Sequence, residues 1–264
     1  MRKFGVKVWS KDVLKNPAFF QQCVTVTKEG KFNYIELFAL PGSYADTAAI
    51  IKSEMLGLPV VIHAPHSGVG MDMGNAEMEA KNREMFKDSQ QFADLLQADI
   101  IILHPGTGYG APYIDESIRQ FKKIADNRIA IENQPFECCV THRILHGTMP
   151  AEIQLMMEET GYRFCLDFYH AICTANSLEK DVYDMLDDFK GLNPVMYHLC
   201  DGDIRGKTDD HLHFGEGNFD LVRFLRDYVA DGAKATLETG REMPQNVQPW
   251  LDDLAFIQDL EAKL

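Results

Sequence analysis

Short apolar runs, rich in Val, Ile, Leu and Phe, punctuate the chain at residues 4–9, 34–39, 59–63, 100–104, 128–132, 162–167, 195–200 and 234–238. Runs this brief and this continuously apolar read as strands covered on both faces, the pattern of a parallel sheet. Between them lie longer stretches in which apolar positions recur at helical spacing among good helix formers, for example 76–96, 115–125, 150–159, 178–188, 219–230 and 248–264. Strand and helix therefore alternate, and eight such units within 264 residues predict a closed (β/α)8 TIM barrel. An open doubly wound sheet is the alternative. With no Ser/Pro/Gly-rich linker, low-complexity run or internal repeat, residues 1–264 are expected to form one TIM-barrel domain, its last helix closing the wall against the first.

In such a barrel the C-terminal strand ends form the active face, so a polar residue there reads as chemistry. The third run ends at His63, the fourth at His104, the fifth at Glu132 and the sixth at Asp167, with His170 shortly after. The seventh reaches His198 and the eighth ends at Glu238. Between those two, Asp209-Asp210-His211-Leu212-His213-Phe214-Gly215-Glu216-Gly217 packs acidic and imidazole groups into a glycine-bearing loop downstream of His198-Leu199-Cys200-Asp201. A lone histidine at the end of an apolar strand is ordinarily a hydrogen-bonded core residue. Six successive strands ending this way bring together carboxylates and imidazoles that a barrel mouth tolerates only with compensating charge. Divalent cations supply that charge. Imidazole and carboxylate without thiolate suit Zn2+, Mn2+ or Fe2+ better than Ca2+ or Mg2+.

Composition narrows the partners. The 26 Lys and Arg against 40 Asp and Glu give a net charge of −14, which repels polyanions at long range and argues against nonspecific binding to nucleic acid or anionic membranes. Cys23, Cys138, Cys139, Cys165, Cys173 and Cys200 form no CxxC and no secreted-type spacing, and are expected to be reduced thiols. Met1-Arg2-Lys3-Phe4-Gly5 leads straight into a strand with no apolar run behind its basic pair, and no apolar stretch is long enough to span a bilayer. The expectation is a cytoplasmic protein with no membrane partner.

On His63, His104, Glu132, the D-x-x-H of Asp167 and His170, His198, the D-x-H of Asp209 and His211 before G-E-G, and Glu238, the chain resembles the AP-endonuclease family 2 and xylose isomerase-like TIM-barrel superfamily. Its metal set is most like that of endonuclease IV. The resemblance implies up to three Zn2+ ions: one on His63, His104 and Glu132, a second on Glu132, Asp167, His198 and Glu238, a third on His170, Asp209 and His211. It implies a metal-dependent hydrolase cleaving a phosphodiester, with abasic DNA or a related phosphoester as substrate and Glu132 and Glu238 at the centre of the chemistry. Two departures weigh against DNA. The connection from His104 to Glu132 is short, and His66-Ser67-Gly68-Val69-Gly70 stands where the endonucleases carry a DNA-probing loop, without its aromatic residue. No basic, aromatic-interleaved loop appears near the mouth to seat a kinked duplex.

The early strands lean towards the sugar isomerase and epimerase branch of the same superfamily, where a polar residue ends the second strand, as Glu36 does here beside Trp9. That branch implies a small sugar substrate and a single Mn2+ held by Glu132, Asp167, His198 and Glu238. The two glutamates then serve as acid and base for moving a proton beside a carbonyl. Glu36, His66, Arg205 and His213 are the candidate substrate contacts, Arg205 for an oxyanion. A metal-bearing binding protein without turnover is the remaining class.

Overall fold

The structure, a computed structural model, describes residues 1–108, 114–138, 141–240 and 245–264. Eight strands, β1 (Lys3–Trp9), β2 (Tyr34–Phe38), β3 (Val60–His63), β4 (Ile101–Leu103), β5 (Ile129–Glu132), β6 (Arg163–Asp167), β7 (Met196–Leu199) and β8 (Lys234–Leu237), pair in parallel and in sequence order into a closed barrel. Each lies within a residue or two of an expected run, and β1 closes on β8 through Lys3 to Lys234 and Val6 to Leu237. The open sheet is thereby excluded.

Around the barrel run α1 (Asp12–Lys15), α2 (Pro17–Lys28), α3 (Tyr44–Met55), α4 (Glu79–Leu96), α5 (Asp115–Ile124), α6 (Pro150–Thr160), α7 (Phe168–Ser177), α8 (Val182–Lys190), α9 (Leu221–Arg223) and α10 (Gln248–Glu261). As expected, α10 meets the start of the wall: Trp250 lies 5.3 Å from Phe19 of α2 between ring centroids, and Val247 N donates to Gln22 at 2.9 Å.

Two helix expectations need correction. The single helix over 178–188 is α8, which starts at Val182 because Asp181 caps it, accepting from Tyr183 N and Asp184 N. The helix over 219–230 is only one α turn followed by a π segment, Phe224–Tyr228. The Arg2 guanidinium docks at the end of that segment, donating to the Leu225 and Val229 carbonyls, so a cation from outside the helix satisfies acceptors at its C-terminal end.

Alternation along the strands sorts the side chains into two sets. The larger apolar cluster fills the space between strands and helices, while Tyr34, Val61, Ile100, Ile102, Ala130, Cys165 and Met196 form a separate cluster inside the barrel. Gly5 belongs to this floor, because a Cβ there would collide with the Tyr34 ring. Two residues further along each strand, the period-2 repeat brings Lys7, Glu36, His63, His104, Glu132, Asp167, His198 and Glu238 to the same side. The polar ring therefore stands directly on an apolar floor.

Candidate metal centre

All eight strands contribute to that ring, two more than the sequence pattern indicated. His104 and Glu238 lie one residue beyond β4 and β8, and the other six lie within their strands. Glu132 is at the centre, fully buried on β5, and its two oxygens face different neighbours. Oε2 is 3.2 Å from His63 Nε2 and 3.0 Å from His104 Nε2. Oε1 is 3.1 Å from His198 Nδ1 and 3.4 Å from His170 Nδ1. His198 Nδ1 also lies 3.2 Å from Glu238 Oε2 and 3.9 Å from Asp167 Oδ2. Three overlapping donor groups result among the described residues, each with its ligand-type atoms within 4.8 Å of one another: His63, His104 and Glu132; Glu132, Asp167, His198 and Glu238; and His63, His198 and Glu238, which spans the first two.

The rings are held from behind. His63 Nδ1 pairs with the Ala64 carbonyl at 2.7 Å, His170 Nδ1 with Asn133 O at 2.8 Å and His211 Nδ1 with Glu238 O at 2.7 Å. A carbonyl only accepts, so in each case Nδ1 carries the hydrogen and Nε2 is left facing the site. Gln134 spends its amide donors on Gly106 O and His146 O, so its Oε1 accepts from His104 Nδ1 at 3.2 Å with the same result. His198 is inverted: its Nε2 meets Glu36 Oε2 at 3.0 Å and its Nδ1 faces the site. Glu36 Oε2 accepts from Thr236 Oγ1 at 2.6 Å, and Tyr34 OH lies 2.8 Å from that hydroxyl. Outer partners that pin one ring nitrogen and present the other are what imidazole ligands of a cation need.

A second cluster sits further out, in the loop after β7. Asp201, buried at its base, organises this loop by accepting from Gly202 N at 2.8 Å, Phe219 N at 3.2 Å and Gly215 N at 2.9 Å. Asp209 Oδ2 contacts His211 Nε2 and lies 3.5 Å from His170 Nε2. The compact group here is Cys200, Asp209 and His211, and His170, which the resemblance joins to Asp209 and His211, borders it at Asp209. Asp209 Oδ1 is buried with no hydrogen-bond partner, as a carboxylate awaiting a cation would be.

Charge is balanced locally. Burial disfavours charge on Glu132 and Glu36, yet His198 with His104 for the first, and His198 with Lys7 for the second, hold both well below the carboxylate range. Burial likewise opposes a proton on His198, but Cys165, Glu36 and Glu132 raise it well above 6.5. His170 is raised to about 10 against its burial, by Asp167 and Asp209. Burial and the Lys7 charge lower His63 to about 4. Burial, with Glu132 and Asp209 close by, pushes Asp167 up despite His170. Protons on two histidines thus stand where cations would neutralise the same carboxylates, and the donor set fits divalent ions of borderline softness.

The weaker candidates fall differently. Glu36 does not end β2; it is mid-strand and fully buried, where it accepts from His198 and Thr236. His66 does reach the mouth, stacked on Phe38 and His104 with centroids 5.3 Å and 5.2 Å away. His213 is committed to the buried Asp253 of α10 at 2.7 Å, a structural tie between loop and helix. Arg205 is exposed and turned to Asp203, its backbone donating to Asp203 Oδ1 at 3.0 Å and its charge helping to hold that carboxyl low.

Sequence reasoning missed Lys7, whose ammonium contacts Glu238 and lies 3.2 Å from Glu36. The signal was an isolated lysine inside the run Val6-Lys7-Val8. It also missed Phe38, which with the half-exposed Trp9, 5.7 Å away, builds an aromatic side to the mouth. Cys200, expected only as a reduced thiol, stands in the outer cluster; Cys139 lies outside the described residues. Among the described residues no helix is long and apolar enough to cross a membrane.

An uncharacterized protein of Methanocaldococcus jannaschii is 23% identical over 181 residues, covering 63% of this chain and 58% of that protein, so the chain matches less than two thirds of that relative. Endonuclease 4 of Thermus thermophilus is 27% identical over 233 residues, 81% of this chain and 83% of that protein. Among solved structures, a D-tagatose 3-epimerase-like protein superposes with a TM-score of 0.72 at 17% identity, over 98% of this chain and 97% of that one, a likeness of fold. The profile of the xylose isomerase-like TIM barrel family matches residues 24–260, nearly the whole barrel just described, and the chain belongs to that family.

Proposed function

We propose that the protein is a divalent-metal-dependent phosphoester hydrolase of the endonuclease 4 type. The observation that carries this reading is the division of Glu132: one oxygen faces His63 and His104 while the other faces His198, so one carboxylate serves two adjacent donor groups. Bound cations, Zn2+ by donor chemistry, would supply Lewis acidity towards a phosphoryl group and an acidified water, a pairing suited to phosphoester hydrolysis. The chain's own part is to fix the positions. Glu132 holds the two groups in register, His63, His104 and His198 present single lone pairs, and Glu238 with Asp167 completes the inner set. His66, Phe38 and Trp9 would border the substrate. The substrate supported by the likeness to endonuclease 4 is an abasic site in DNA, whereas the net charge of −14 favours a smaller phosphoester.

A single-metal sugar isomerase or epimerase is the second reading. It is favoured by Glu132 and Glu238, which flank the same His198 nitrogen at 3.1 Å and 3.2 Å, as a paired acid and base would flank one ion. Elemental analysis of purified protein, followed by assays on an abasic duplex and on a small chromogenic phosphodiester, separates the two. Two or more ions per chain with phosphoester turnover is the expected result. One ion per chain, Mn2+-dependent epimerisation of a ketose and no phosphoester turnover would overturn it.

A further inference from the structure

We propose that the outer cation position of this chain is a mixed thiolate site, in which Cys200 joins Asp209 and His211 as a ligand of a zinc-like ion. The proposal rests on the metal-centre reading above and changes the donor chemistry of its outermost member.

Cys200 follows β7 directly. It lies two residues on from His198 of the polar ring, at the edge of the larger apolar cluster. It is 3% exposed, and its sulfur lies within 4.8 Å of a carboxylate oxygen of Asp209 and a ring nitrogen of His211. Two further observations point to an ion there. Asp209 Oδ1 is buried without a hydrogen-bond partner. His211 has a left-handed backbone, φ 48°, costly for a residue with a side chain, and that conformation is locked by Gly240 N donating to His211 O at 2.7 Å and by the ring's bond to Glu238 O. The strain aims Nε2 at Asp209. His170 stays outside the compact group, its Nε2 3.5 Å from Asp209 Oδ2.

One thiolate, one imidazole and one carboxylate leave a tetrahedral ion one open position, the arrangement of a catalytic rather than a closed structural site. A thiolate also makes the site softer than the inner groups. Zn2+, Co2+ and Cd2+ are taken there, while Mn2+ and Mg2+ are confined to the inner oxygen- and imidazole-rich positions. On binding, the Cys200 S–H bond breaks, a sulfur–metal bond forms and the proton passes to solvent.

Zinc X-ray absorption on the full-length, zinc-loaded protein tests this without any variant. The expected result is one sulfur scatterer, at about 2.3 Å, distributed over the bound ions. Cobalt substitution should give a near-ultraviolet thiolate-to-cobalt band. In Cys200→Ser, and in Cys200→Ala as a second variant, the sulfur signal and the band should vanish, and one ion should be held at least about 10–100-fold more weakly. Zinc bound through nitrogen and oxygen alone overturns the thiolate and leaves the metal-centre reading intact. A sulfur signal that persists in both variants assigns it to another cysteine, such as Cys165, and also overturns the proposal. Failure to retain any ion overturns both readings.

Discussion

Glu132 is a fully buried carboxylate, and four histidines surround its charge. Glu132→Gln keeps its shape and removes the shared charge, and should weaken ion binding by at least about 10–100-fold and abolish turnover. Calorimetric titration checks this, and ions retained with unchanged affinity would remove Glu132 from the centre. The same histidines set a pH dependence for the metal-free protein. The folded value of His63, about 4, lies below its ordinary 6.5, so its stabilising contribution is present above 6.5 and lost as pH falls through about 4. That of His170, about 10, lies above 6.5, so its contribution is present below 6.5 and lost as pH rises through about 10. The melting temperature of chelator-treated protein should therefore peak near pH 6.5. A chelated protein that gains stability throughout the range from about 6.5 to 10 would contradict this balance. His63, His104, Glu132, Asp167, His198 and Glu238 were legible in the sequence because each interrupts an apolar run at its end. Lys7 was not, because Val6-Lys7-Val8 also reads as an ordinary alternating strand with one face in water. Nor was Cys200, since a thiol at a strand end is equally a core residue.

Elements differ in how openly they declare themselves. The strands were read to within a residue or two because their apolar runs are short and bounded. Helix α7 was not, because every residue from Phe168 to Ala175 is buried and no amphipathic period survives. It begins where β6 ends: Asp167 is both the last strand residue and the helix N-cap, its side chain accepting from His170 N at 2.7 Å. The D-x-x-H spacing is thus a capping geometry as well as a ligand spacing. A cap with no part in the site offers a control. Asp181, exposed at the start of α8, accepts from Tyr183 N at 2.8 Å and Asp184 N at 3.1 Å. Asp181→Ala should cost about 1 kcal/mol and lower the melting temperature by about 2–4 °C while leaving metal content and turnover unchanged. A thermal scan beside an elemental assay suffices, and a loss of bound metal would show that α8 is coupled to the site.

At the scale of the molecule, the closed barrel divides labour between layers two residues apart. Gly5 tests the floor. Its backbone needs no glycine, since its φ is not positive, so Gly5→Ala would gain about 0.4–1 kcal/mol from a stiffer unfolded chain. The added Cβ would meet the Tyr34 ring, however, and overpacking typically costs about 1–3 kcal/mol. The second effect wins, and the urea midpoint should fall; a rise would mean that Tyr34 moves aside freely. Tyr34 has a reason to stay. Thr236 has one hydroxyl hydrogen and gives it to Glu36, so the contact with Tyr34 runs in only one sense, tyrosine to threonine. Glu36, accepting there, accepts again from His198 Nε2. Four side chains are thereby proton-ordered, with donations converging on Glu36 from the barrel floor on one side and from the inverted histidine on the other, and the tautomer in which His198 would meet an ion is inherited from the packing of that floor.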